Sequence, residues 1–295
     1  METLESIQRG VRTAEDLHSL VKTMKVLAAV NIRRLERAVE SLAEYSRTIE
    51  LGLVAVLREH PEAIREKDAR RPSRLGTIVF GSDQGMCGSL NDQIAAFALK
   101  TMNDLSGDRS GRATLAVGSR PATRLEEAGE QVEAILPIPG SVGGITALVQ
   151  QILVHVERWR FQHGVERIVL CHCERLARGN FRPRATQLTP FDHDWLESLV
   201  ERHWRRRALP AFTMDGSKLF SHLTRQYLFV SLYRAIAESM ASENASRLAS
   251  MRGAERNIKD RVVDLSRRFH QRRQMAITEE LLDIVSGFEA LGGES

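Results

Sequence analysis

Proline is missing from both ends of this chain. All eight prolines among the 295 residues fall between Pro61 and Pro210. Proline is the residue a helix interior tolerates least, so the two ends read as long helices around a differently built middle. Cysteine is scarce too. Cys87, Cys171 and Cys173 cannot all pair with one another, which excludes a disulfide framework and points to a reducing compartment. Aromatic residues make up only 5% against 27% charged, a balance that leans toward long helices and away from a β sandwich. Apolar runs such as Val26–Val30 are far too short to cross a bilayer. The opening METLESIQRG is acidic where a secretory leader needs a basic start, so no targeting segment is expected. Excess charge is modest: a net +4 and a pI near 9.2 permit an acidic partner but fall short of a nucleic-acid signature.

A hydrophobic content of 42% supports a core of one large domain or two ordinary ones. Counting by sevens, Leu4, Val11, His18, Lys25, Ile32, Val39, Ser46 and Leu53 form one row. The other row, Ile7, Ala14, Val21, Ala28, Leu35, Leu42, Ile49 and Val56, is apolar throughout. This is a sustained heptad seam over a helix roughly 80 Å long. The last helix is expected to open between Asp215 and Ser217 and to stop at Gly287, with a stripe running from Leu223 through Tyr227, Val230, Ala237, Ala241, Leu248, Met251, Ile258, Val262 and Leu265 to Phe269. At roughly 100 Å it outruns the first.

The middle reads as α/β. Thr77–Phe80, Ala113–Val117, Val132–Leu136 and Arg167–His172 are β-prone runs. They alternate with helical patterns at Asn91–Met102, Ala122–Ala128 and Ile145–His163, and a final short strand is expected around Ala185–Leu188. The alternation predicts a mainly parallel, Rossmann-like sheet covered by helices. The expected division is residues 1–60 as the N-terminal helix, 61–214 as the lobe and 215–295 as the C-terminal helix. The two ends satisfy each other's stripes by pairing as an antiparallel intramolecular coiled coil, a rod with the lobe inserted between its helices.

Several local patterns admit a chemical reading beside a plainer one. The turn Gly81–Asn91 lies where a phosphate cradle would sit, but it lacks a phosphate lysine and matches no nucleotide fingerprint. A tight structural turn fits it better. Cys171, His172 and Cys173 suggest zinc, yet neighbours on a strand face opposite ways and no second cysteine pair completes four ligands. A half-buried strand end is the expectation. His155 and His163 form no metalloprotease pattern. Trp204–Arg207 is a basic cluster that reads as a solvated loop. Between Glu255 and Arg273 seven basic residues face three acids, Glu255, Asp260 and Asp264. There the apolar seam breaks at Arg272 and Arg273 and resumes with Ile277, Leu281, Ile284 and Phe288. No catalytic residue, metal site or cofactor is expected.

Val21–Arg34, Gly81–Asn91, Leu232–Met251 and Arg272–Gly287 together resemble, in order and spacing, the signature regions of the γ subunit of rotary F-type ATP synthases. Asn31, Met86 and Ser89 depart from the family pattern, and about 195–215 looks like an insertion. The resemblance implies a non-catalytic central-stalk rotor that couples ion flow to ATP synthesis or hydrolysis. Its implied partners are the α and β subunits, ε and the c-ring, with no nucleic acid and no insertion into the membrane. Its implied place is the cytoplasmic face of a bacterial inner membrane, as a peripheral subunit. Implied stator contacts are Met24, Lys25, Arg272, Arg273, Gln274, Thr278 and Glu280, with Met24 and Lys25 opposite the others on the first helix. The implied apolar bearing tip is Ile277, Leu281, Ile284, Val285 and Phe288. The alternative is a basic coiled-coil scaffold for nucleic acid or another acidic partner.

Overall fold

A computed structural model describes residues 3–59, 74–106, 108–176, 180–191, 195, 198–199 and 212–292; side chains are described as far as residue 286. Trp204–Arg207 and most of the 195–215 stretch lie outside these. Helix α1 spans Leu4–Glu59. Then come β1 (Arg74–Phe80), α2 (Leu90–Leu105), β2 (Arg112–Val117), α3 (Ser119–Glu127), β3 (Ala134–Leu136), α4 (Ile145–Gln162), β4 (Val165–Arg175), β5 (Phe181–Thr189) and α5 (Gly216–Gly292). By packing, the chain forms two units, one of Met1–Leu27 with Leu248–Ser295 and one of Ala28–Arg247. The packing therefore divides inside both long helices, where the proline-based reading divides at their ends.

In the Ala28–Arg247 unit the sheet order is β3-β2-β1-β4-β5, with the first four strands parallel and β5 antiparallel to β4. Alternate residues of each strand go to opposite faces, and both faces are covered. Ile78, Phe80, Leu115, Ile168 and Leu170 meet α4 and the middle turns of α1 and α5 through Trp159, Leu35 and Leu232. Leu75, Val79, Val169 and Cys171 meet α2 and α3 through Ile94, Met102 and Leu125. Gly76 is a glycine because a Cβ there would lie 2.8 Å from the Trp159 ring. Each large side chain so buried contributes about 1.5–3 kcal/mol.

The heptad arithmetic describes α1 well. Every residue of the apolar row is buried except Leu42, which is half-buried. α1 and α5 run antiparallel within each unit. In the larger one Tyr45 Oη donates to Gln226 Oε1 at 2.9 Å and Gly52 lies under Leu223. In the smaller one Gly10 faces Leu265 and Lys25 pairs with Glu255. Asp215 caps α5, its Oδ1 accepting from the Lys218 N–H at 3.1 Å.

Three expectations are corrected. α5 does not stop at Gly287 but continues to Gly292, since a glycine costs a helix only about 1 kcal/mol. The last strand is nine residues long, not four. Its polar alternation and Pro183 hid it, and a proline is tolerated there because β5 is an edge strand. The Cys171–Cys173 segment is no half-buried strand end. It lies inside β4 with all three residues 3% exposed or less, because α2 covers one face and α5 the other.

Candidate functional site

In the smaller unit the end of α5 outruns α1 and has no mate among the described residues. Gly10 lies across from Leu265, and both helices rise equally per residue, so the start of α1 comes level with about residue 271 of α5. α5 continues to Gly292. Burial follows that register: Leu265 is buried and Phe269 half-buried, whereas Ile277, Leu281, Ile284 and Val285 are 48%, 57%, 62% and 53% exposed. Their spacings of four, three and one place these four apolar side chains on one side of the helix. Phe288 continues the stripe in sequence, but its side chain lies outside the described residues. Met275 and Leu282, absent from the expected tip, are also exposed apolar groups. The unbroken run Leu281–Leu282 was the signal for the second.

The polar residues expected to meet a stator sit at the base of this end. Arg273, Gln274, Thr278 and Glu280 are exposed and Arg272 is half-buried. Thr278 Oγ1 donates to the Gln274 carbonyl at 2.9 Å, a bond within the helix. Met24 and Lys25 are half-buried on α1, but the fold does not bring them opposite Arg273. Lys25 Nζ donates to Glu255 Oε2 at 2.5 Å, and His18 Nε2 lies 3.8 Å from Glu255 Oε1. The lysine contact holds the Glu255 carboxyl below its usual range. The antiparallel register is the physical reason for the separation. About eighteen residues of α5, or about 27 Å, lie between the Lys25 level and Arg273. Arg261 and Arg268 of the basic run both reach Asp264, at 3.4 and 3.0 Å.

The turn after β1, in the larger unit, is a structural knot. Asp83 accepts from the Ser119 N–H through Oδ1 and from the Ile138 N–H through Oδ2, both at 2.8 Å. The Asp83 carboxylate is therefore fixed at the α3 N-terminus and ties the turn to the segments after β2 and β3. Asn91 Oδ1 accepts from the Ser82 N–H at 3.0 Å, while its Nδ2 donates to Ser82 Oγ at 2.8 Å. Met86 as well as Gly88 takes a positive φ, so glycine alone does not account for the turn. Gly118, at φ 102°, passes within Cβ-contact distance of the Ser82 backbone, about which α3 turns.

The signature Leu232–Met251 bolts α5 to this layer. Ser242 Oγ donates to the Cys173 carbonyl at 2.9 Å and Ser246 Oγ to the Cys87 carbonyl at 2.5 Å. Glu243 pairs with Arg247 in the buried stretch beside them. Burial pushes the thiols of Cys171 and Cys173 up to about 12, which keeps them protonated and poor metal ligands or nucleophiles. Among the described residues no His, Cys, Asp and Glu cluster could hold a metal ion. No described helix is long and apolar enough to cross a membrane.

Comparison with known proteins agrees with this architecture. The family described as ATP synthase matches residues 3–291. The chain belongs to that family, as a member of its gamma-chain, central-stalk type. The ATP synthase gamma chain of Polynucleobacter asymbioticus is 24% identical over 295 residues, covering 99% of this chain and 100% of the relative. That of Cupriavidus necator is 25% identical over 296 residues, with the same coverage. In fold, the chain resembles one from the Euglena gracilis mitochondrial ATP synthase OSCP/F1/c-ring assembly in rotational state 3. The TM-score there is 0.64 at 14% identity, covering 99% of this chain and 96% of that one. A chain of the Tetrahymena thermophila central stalk and c-ring superposes with a TM-score of 0.58 at 19% identity, covering 80% of this chain and 99% of that one.

Proposed function

We propose that this subunit is the non-catalytic rotor of its complex, converting the rotation driven by an ion-carrying c-ring into changes at the nucleotide sites of a surrounding α/β ring. The observation that carries this reading is the end of α5. It outruns α1 and exposes an apolar stripe with Arg273, Gln274, Thr278 and Glu280 at its base. An apolar tip can turn in a bearing without a fixed hydrogen-bond register, while the charged belt gives successive stator subunits something to push on. A close pair between Arg273 and an acidic stator group is worth on the order of 1–4 kcal/mol, depending on effective dielectric. That biases an angle and still releases. Because the shaft is asymmetric, each of its positions presents different contacts to the three sites and so different nucleotide affinities, a mechanical form of allosteric coupling.

Met24 and Lys25 serve a second level of contact below the tip, as Arg272 serves the first, and Ile277, Leu281, Ile284, Val285 and Phe288 form the bearing. The partners are α, β, ε and the c-ring, and the place is the cytoplasmic face of the membrane as a peripheral subunit. The family match over nearly the whole chain weighs against the nucleic-acid scaffold alternative. A tagged copy of the chain should bring down α and β subunits from detergent-solubilised membranes and stay with them through gel filtration. Isolation as a free homodimer with DNA affinity that falls steeply with salt would overturn the reading.

A further inference from the structure

Within the Ala28–Arg247 unit a cavity of about 410 Å³ lies between β4, β5 and the middle turns of α1 and α5. Its size is that of a small-molecule site. The two ends differ in chemistry. At one, Phe191, Trp195 and Tyr227 pack against one another, with ring centroids 4.7 Å apart for Trp195 and Tyr227 and 5.3 Å for Phe191 and Tyr227. At the other, Arg234 Nε donates to Glu238 Oε1 at 2.7 Å and Arg184 Nη1 to Glu174 Oε1 at 3.1 Å. Each guanidinium is thus aimed by a carboxylate. Ser231 on α5 and Thr186 on β5 line the space between the two ends.

A buried nitrogen in the wall is left unsatisfied. His172 is 3% exposed and its Nε2 lies 3.4 Å from Thr186 Oγ1. Its Nδ1, 3.7 Å from Glu238 Oε2, has no hydrogen-bond partner among the described residues. Buried polar atoms of this kind are rare and call for a partner.

Charge and spacing narrow the occupant. The lining cations Arg184 and Arg234 are balanced by the lining anions Glu50 and Glu238, so a simple anion or a simple cation would leave one sign unmatched. Tyr227 and Arg234 are seven residues apart, about 10 Å along α5, and a long side chain on a helix leans back toward its N-terminus. Both side chains lean the same way, so their ends stay about 10 Å apart. A ligand ring packed on Tyr227 takes up about 4 Å of that and a charged group bonded to Arg234 about 3 Å, leaving the reach of a short carbon chain.

We infer that this cavity binds a small ring-bearing zwitterion, its ring against Phe191 and Tyr227 and its carboxylate and ammonium divided between Arg234 and Glu238. An occupant would tie β5 to both long helices of this unit. The inference stands apart from the rotor reading and is tested separately.

The test titrates the full chain by calorimetry with L-phenylalanine, 3-phenylpropionate and 2-phenylethylamine, which share a ring and differ in charge. The expected result is saturable L-phenylalanine binding below about 1 mM, with each single-charge compound at least about tenfold weaker. Arg234→Gln should weaken L-phenylalanine about tenfold and leave 2-phenylethylamine unchanged. Ser231→Leu, which fills the middle of the cavity without removing a charge, should abolish binding of all three. Absence of saturable L-phenylalanine binding, or equal affinity for the three compounds, overturns the inference on the unmodified chain, whatever the variants do. Unchanged affinity in folded Arg234→Gln or Ser231→Leu overturns it as well.

Discussion

His172 shows what burial does to a single residue. Its ring sits inside β4 with Glu238 and Arg234 facing it from α5, Arg184 from β5, and Glu174 nearby on β4. Burial drives its pKa below the ordinary 6.5, and the attraction of Glu238 offsets only part of that. The folded state therefore prefers the neutral ring. Its contribution to stability is fully present above 6.5 and is lost as pH falls below that value toward the depressed one. Glu243 acts with the opposite sign. Burial raises its carboxyl above 4.5 despite Arg247, so its cost appears as pH rises from 4.5 through the raised value. The clean measurement is a difference between proteins: His172→Gln should lose less melting temperature than the parent between about pH 7.5 and about pH 5.5. An equal loss in both would show that His172 does not titrate on unfolding.

At the scale of elements, the same residue types carry opposite weight along one helix. Leu232 of α5 is fully buried against the sheet, whereas Leu281 near its far end is 57% exposed. Leu232→Ala should cost about 3 kcal/mol in urea unfolding, because it leaves a cavity in a packed core. Leu281→Ala should change stability by no more than about 0.5 kcal/mol. The two would cost alike if the α5 end were packed in the isolated chain. How much of these elements could be read in advance depended on their surroundings. α1 was legible because a seam repeated over 56 residues leaves little room for another period. β5 was only partly legible, since an edge strand carrying Arg182, Pro183 and Arg184 lacks the apolar alternation that marks a strand. Gly287 misled because a glycine stops a helix only where the chain has something else to turn toward.

For the whole molecule, the proposed rotor role separates stability from work. Arg273 and Gln274 are exposed and, among the described residues, Thr278 bonds within its own helix. Arg273→Glu combined with Gln274→Leu should therefore leave thermal unfolding within about 2 °C of the parent, yet impair ATP-driven rotation or assembly of the complex. Wild-type coupling in that double variant would remove Arg273 and Gln274 from the torque path. The sequence alone determined the antiparallel helix pair, the α/β layer that separates the two helices in chain order and the unmatched length of the last helix, because periodicity and proline placement are local properties of a chain. Only tertiary structure decided that Lys25 lies at Glu255 and not at Arg273, that Cys171, His172 and Cys173 are sealed within the sheet, and that Asp83 ties the turn after β1 to the start of α3. Those outcomes depend on the register between distant segments, and register is set by packing across space, which no window of sequence contains.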